Sequence, residues 1–221
     1  MKDVFDAMLR HFGPQQWWPG DSPFEIAVGA ILTQNTNWRN VALCIAVLKR
    51  NNLLDPHALY DLPVQDLWDF IRPAGYFRVK AKRLHNFVRW LIERFDGSME
   101  TMSAQPLDAL REELLEINGI GPETADSILL YAARKPTFVV DAYTYRIAVR
   151  HGWVETEAGY EELKDYFESR LSDDVPTLNE MHALLVEVGK KCCRPRETRC
   201  ELCPLQAFLP EGGPVQPWNV D

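Results

Sequence analysis

The sequence is short of basic residues, of strand signals and of long apolar runs. It has 24 Lys and Arg against 32 Asp and Glu, a formal net charge of −8. Its longest apolar runs, Ala27–Leu32 and Ser127–Ala133, fall well below the roughly 20 residues that span a bilayer. The first twelve residues, MKDVFDAMLRHF, mix charge signs and lack the apolar core of a signal peptide. Only five cysteines occur in 221 residues, too sparse for a disulfide scaffold. What is present is an ordinary globular balance, 46% hydrophobic and 25% charged, which excludes disordered and collagen-like chains. The expectation is a soluble intracellular chain, long enough for one large domain or two small ones.

The acidic balance argues at first against a nucleic-acid partner. The charge is uneven, however. Residues 155–174 hold eight acids against Lys164 and Arg170, a net of −6, which leaves −2 for the rest of the chain. One acidic helix is expected there. Two stretches are basic: Arg78, Lys80, Lys82 and Arg83, and then Lys190, Lys191, Arg194, Arg196 and Arg199.

Period-2 alternation with β-branched residues is rare. Helical spacing recurs instead, as in Val41, Ile45 and Leu48, Leu84, Val88 and Leu91, and Leu184, Leu185 and Val188. Pro and Gly punctuate these segments, which predicts about ten short helices with short connections. The fold class is all-α. The tail from Pro204 to Asp221, with four prolines and two glycines, is expected to be extended, packed on the surface or loose.

The most informative segment runs Leu114-Leu115-Glu116-Ile117-Asn118-Gly119-Ile120-Gly121-Pro122-Glu123-Thr124-Ala125-Asp126. A helix ends near Ile117, two glycines permit unusual backbone angles, and Pro122 suits the first turn of the next helix. Such a turn presents N–H groups and a helix dipole to an anion. This is a helix-hairpin-helix pattern. It grips a DNA backbone through main-chain amides, so it needs little side-chain charge. Gly119, Ile120, Gly121 and Thr124 are the expected backbone-binding residues. Downstream, Phe138, Val139 and Val140 form an apolar plug, and Asp141 opens a helix as a natural N-cap.

Taken together, the hairpin from Ile117 to Ala125 and Val139-Val140-Asp141 resemble the helix-hairpin-helix (HhH-GPD) DNA glycosylase superfamily, the endonuclease III fold, over roughly residues 24–203. That resemblance implies that Asp141 is catalytic, stabilising the positive charge that develops on the deoxyribose as the base departs. Endonuclease III also cleaves the strand, through a lysine that forms a Schiff base. The matching position holds Glu123, which cannot form an imine, and Lys135 is too distant to be an evident replacement. A monofunctional glycosylase is the expectation.

Trp17-Trp18-Pro19-Gly20, Phe24-Glu25, Ile31 through Trp38, and Ile71-Arg72-Pro73-Ala74-Gly75-Tyr76-Phe77 followed by Lys80-Ala81-Lys82-Arg83-Leu84 resemble the 3-methyladenine DNA glycosylases of the endonuclease III type. An enzyme acting on a base must flip it out and hold it between aromatic or apolar faces. A cationic alkylpurine suits electron-rich rings. By resemblance Trp18 and Trp38 are pocket candidates and Gln34 fills the gap left by the flipped base. Core packing is the bland alternative for the tryptophans, and helix-terminal hydrogen bonding for Gln34.

Cys44 reads as a buried thiol on an apolar helix face. Cys192, Cys193, Cys200 and Cys203 crowd the C-terminal region, where metal or iron–sulfur ligation is favoured over disulfides. Endonuclease III relatives carry a [4Fe-4S] cluster on C-x6-C-x2-C-x5-C. Cys193, Cys200 and Cys203 match the first three positions, but Leu209 occupies the fourth. Open alternatives are Cys192 as fourth ligand, a three-cysteine cluster with a non-protein ligand, Zn²⁺ on four thiols, or a site that binds nothing. Any cluster would be structural and would position the Lys190–Arg199 loop.

The resemblance implies two helical lobes. A barrel, 24–134, carries the hairpin at about 113–130. A second domain, 1–23 plus 135–221, carries the cysteine loop at 192–203. Asp141 and the hairpin are expected to face a cleft, with the 155–174 stretch turned away from DNA and the basic stretches toward it. The implied partner is duplex DNA containing a damaged base, with no membrane, and the enzyme is a cytoplasmic, nucleoid-associated monomer. The expected reaction is excision of alkylated purines such as 3-methyladenine. The alternatives are an endonuclease III-type glycosylase for oxidised pyrimidines or mismatches, and a non-catalytic damage-binding protein. His11, His57, His85, His151 and His182 form no assignable spacing.

Overall fold

A computed structural model describes Met1–Val215. Twelve α-helices account for most of it, and among the described residues the only β pairing is an isolated bridge between Cys193 and Thr198. The all-α expectation holds, with two more helices than the periodicity predicts. No described helix is long and apolar enough to cross a membrane. The chain forms two compact units. One is Trp18–Lys135. The other joins Met1–Trp17 to the chain from Pro136 onward.

Helix α1 (Lys2–Phe12) belongs to the second of these. The Trp18–Lys135 unit holds α2 (Pro23–Thr33), α3 (Trp38–Arg50), α4 (Pro56–Asp61), α5 (Leu67–Ile71), α6 (Phe77–Phe95), α7 (Met99–Ser103), α8 (Leu107–Glu116) and α9 (Pro122–Ser127). Short polar residues start these helices where the sequence puts them. Ser22, Asn37, Asp55 and Ser98 each accept a first-turn N–H of the helix that follows, satisfying donors that have no intrahelical partner. Leu84, Phe87, Val88 and Leu91 line the inner face of α6, fully buried with Ile31, Leu32, Leu48, Leu110 and Leu114. This shared apolar core fixes the ends of α2 and α9.

Lys80 also lies in that core, 1% exposed. Its ammonium donates to Leu32 O at 2.9 Å and Ala74 O at 2.8 Å. Burial lowers its pKa. The basic stretch at 78–83 therefore offers fewer surface cations than its sequence suggests. Lys80 instead braces the end of α2 and the turn before α6.

In the other unit, α10 (Ala142–Arg150) and α1 both pack on α12 (Val175–Lys191), with α11 (Tyr160–Glu168) between α10 and α12 in sequence. The acidic stretch is not one helix: α11 covers only 160–168, flanked by turns. Nor are all its acids on a solvated face. Glu168 Oε1 accepts from Thr137 Oγ1 at 3.1 Å, Phe138 N at 2.7 Å and Lys164 Nζ at 2.7 Å. The tail is partly anchored: Leu205 is fully buried, Gln206–Phe208 form a 3-10 turn and Val215 N donates to Arg150 O at 2.9 Å. Residues 216–221 of the expected loose tail lie outside the described residues.

Candidate active site

The hairpin forms as its residues dictate. Helix α8 ends at Glu116, and the turn closes with Ile120 N donating to Ile117 O at 2.9 Å. Gly119 has φ +100, and a Cβ there would collide with the Arg83 side chain. Both facts demand glycine. Gly121 differs from expectation. Its φ of −97 with ψ 178 is extended backbone open to any residue, and a Cβ would meet nothing within 4 Å. What its bare backbone does is leave the N-terminus of α9 uncovered. Pro122 follows at N1, and Glu123 sits exposed in the first turn.

Side chains engage the hairpin carbonyls. Asn86 Nδ2 donates to Asn118 O at 2.9 Å, and Gln34 Nε2 to Gly119 O at 3.1 Å and Thr124 Oγ1 at 2.9 Å. Arg83 Nη1 donates in turn to Gln34 Oε1. Gln34, the C-cap of α2, is thus joined to two of the hairpin residues chosen from sequence. Ile120 buries its side chain in the core and spends its N–H on closing the turn, so of the expected backbone-binding residues it is the least able to serve a ligand. With the carbonyls occupied, the turn is left with N–H groups to offer, an anion-binding arrangement.

The same unit gathers three aromatic rings. Trp18 meets Trp38 edge-to-face, centroids 5.1 Å apart, and Tyr131 at 5.2 Å. Gly29 lies against both indoles: its Cβ would stand 3.3 Å from Trp18 Nε1 and 3.4 Å from Trp38 Cζ3. Tyr131 holds a position with no signal in the sequence. It reaches Trp18 from a π turn, Ile128–Ala132, that continues α9. Such turns shift side-chain register and recur at functional sites, and nothing in the local spacing marks this one.

In the other unit, Phe138, Val139 and Val140 are buried as the plug reading requires. Glu168 secures the start of this wall. Asp141 caps α10, its Oδ1 accepting from Thr144 N at 2.8 Å. Its Oδ2 lies 3.7 Å from Nε2 of His182, which is buried on α12. Burial lowers the His182 pKa, against the opposing pull of Asp141. Sequence spacing gives no hint of this histidine.

Cys192, Cys193, Cys200 and Cys203 line one pocket with Arg150, His151 and Leu209, and the room left inside it is only about 10 Å³, the space of a single water. Two arginines of α10 fix the loop. Arg146 Nε donates to Cys193 O at 2.7 Å, and Arg150 Nη1 reaches Cys193 Sγ at 3.3 Å and Arg194 O at 2.7 Å. Burial pushes the Cys203 thiol up to about 12. Among the described residues, no three His, Cys, Asp or Glu side chains converge as ligands of one ion. By donor chemistry, four soft thiols with a guanidinium beside them suit an iron–sulfur group. The basic loop itself is partly committed: Lys190 and Lys191 pair with Glu187 and lie over the rings of Trp17 and Phe12.

Residues 28–173 match the sequence profile of the HhH-GPD superfamily of base excision DNA repair proteins. The chain belongs to this superfamily. The HhH-GPD chain is 44% identical over 207 residues, 93% of each protein, to MJ1434 of Methanocaldococcus jannaschii, a candidate DNA repair glycosylase. It is 31% identical to endonuclease III of Thermotoga maritima over 82% of this chain and 79% of that one. Among solved structures it resembles the 3-methyladenine DNA glycosylase of H. pylori bound to 1,N6-ethenoadenine. The TM-score is 0.74 at 27% identity, covering 86% of this chain and 96% of that one. Its HhH-GPD relatives thus include both endonuclease III and an alkylbase enzyme.

Proposed function

We propose that this HhH-GPD chain is a monofunctional DNA glycosylase that hydrolyses the N-glycosidic bond of alkylated purines, chiefly 3-methyladenine, in duplex DNA. The observation that carries the reading is the ring cluster of Trp18, Trp38 and Tyr131, with both indoles against Gly29, in the unit that also holds the hairpin. Electron-rich faces attract a cationic purine and discriminate weakly for neutral pyrimidines. Similarity to the H. pylori 3-methyladenine enzyme supports the same substrate class.

In this reading the N–H groups around Gly119 to Thr124 hold a backbone phosphate. Gln34 enters the gap left by the flipped base, giving up its bonds to the hairpin. The Asp141 carboxylate stabilises the oxocarbenium-like sugar as the alkylated base departs, and water then adds at the sugar carbon. An alkylated purine already has a weak glycosidic bond, so a carboxylate suffices without a covalent intermediate. Glu123 stands where a lyase would carry its lysine, so the product is an intact strand with an abasic site. Cys193, Cys200 and Cys203, with Cys192 as fourth thiolate, would hold a [4Fe-4S] cluster. The group would supply a rigid scaffold for the basic loop and takes no part in bond cleavage.

The test uses a methylated duplex. Free 3-methyladenine should appear in solution, strand breaks should require alkali, and borohydride should trap no protein–DNA adduct. A trapped adduct, or nicking without alkali, would overturn the monofunctional reading.

A further inference from the structure

The two oxygens of Asp141 have different neighbours. Oδ1 accepts the Thr144 N–H at 2.8 Å, a helix cap like any other. Oδ2 faces Nε2 of His182 at 3.7 Å, with 5% of the histidine side chain and 15% of the aspartate exposed. The His182 ring is seated by Phe138, which meets it edge-on with centroids 6.2 Å apart and planes at 83°. Phe138 belongs to the apolar wall leading to Asp141, so one packed unit sets both members of the pair.

We infer that His182 is a positioning residue for Asp141: its buried imidazole, with Nε2 3.7 Å from Oδ2, sets the orientation of the carboxylate while leaving the negative charge available. The inference rests on the proposed role of Asp141. The choice of side chain follows from that role. A lysine or arginine here would neutralise the charge that the developing sugar cation needs. An apolar side chain would set Oδ2 against hydrocarbon, which favours the protonated acid. An imidazole presents a polar edge without either consequence, and burial disfavours its charged form. The competing account is a core histidine retained for packing on Phe138, which leucine would serve as well.

The two accounts separate on three substitutions. His182→Leu keeps the volume and loses the polar edge. His182→Gln restores a polar group near the position of Nε2, and His182→Asn keeps polarity but is too short to reach. The expected result is a single-turnover excision rate about ten- to a hundredfold lower in His182→Leu and His182→Asn. The rate should be largely restored in His182→Gln, with affinity for an abasic duplex unchanged throughout. In an Asp141→Asn background, His182→Leu should cost nothing further. Should His182→Leu fail to fold, the Gln and Asn variants decide alone. Equal rates in those two, or a wild-type rate in His182→Leu, would overturn the inference. A fully active Asp141→Asn protein would instead overturn the role of Asp141, and the inference with it.

Discussion

In the Trp18–Lys135 unit the candidate site is made of backbone and rings, while in the unit that holds α1 and α10 to α12 it is made of charge. The hairpin offers N–H groups, since the carbonyls of Asn118 and Gly119 are occupied by Asn86 and Gln34. Its companion site is the group of Trp18, Trp38 and Tyr131. Across the chain, by contrast, Asp141 stands at the end of an apolar wall, and Arg146 and Arg150 bind the cysteine loop. A net charge of −8 is compatible with a DNA repair protein because the first of these regions needs no side-chain cations. Under the proposed function, recognition falls to one unit and bond cleavage to the other.

Four substitutions or conditions can break that division, from large effect to small. Asp141→Asn should lower the excision rate about a hundred- to a thousandfold while duplex affinity, measured by anisotropy, stays put. A matching loss of affinity would blur the two roles. Gly119→Ala forces a side chain into the space of Arg83 at positive φ. It should cost about 1–3 kcal/mol of stability, read as a lower Tm, and weaken duplex binding. At saturating enzyme the excision rate should be preserved.

Trp38→Ala should lose stacking worth about 1–3 kcal/mol. Quenching of the intrinsic fluorescence by an alkylated base should weaken accordingly, and unchanged affinity would remove Trp38 from the pocket. The smallest effect is on pH. Burial lowers the pKa of both His151 and His182 from 6.5, so the unfolded chain binds protons more readily. Stability is then complete above about pH 6.5 and falls as the pH drops toward the folded values. Tm scans across acid pH should show this slope, and a His151→Phe variant should flatten it.

How much of this can be read without coordinates follows the same division. The hairpin is local: two glycines, a proline at N1 and flanking amphipathic helices are all written within ten residues. The caps at Ser22, Asn37, Asp55, Ser98 and Asp141 are likewise a matter of one turn. What escapes sequence reasoning is long-range. Lys80 sits in a basic run yet binds carbonyls inside the core, because α6 turns that face inward. Glu168 belongs to the most acidic stretch yet braces Phe138, 30 residues away. Tyr131 reaches Trp18 through a π turn that no periodicity announces. His182 meets Asp141 only because α12 packs on α10. Gly121 errs in the other direction: its glycine suggests an unusual angle, but its backbone is ordinary and only its lack of cover is used.

The central claim is that rings in one unit select an alkylated purine for an aspartate in the other. Single-turnover rates on a panel of duplexes carrying 3-methyladenine, an oxidised pyrimidine or a T·G mismatch, with the freed base identified by mass spectrometry, test it most directly. The account predicts rapid release of 3-methyladenine and little else. Preferential release of an oxidised pyrimidine or of thymine, with 3-methyladenine retained, would contradict it.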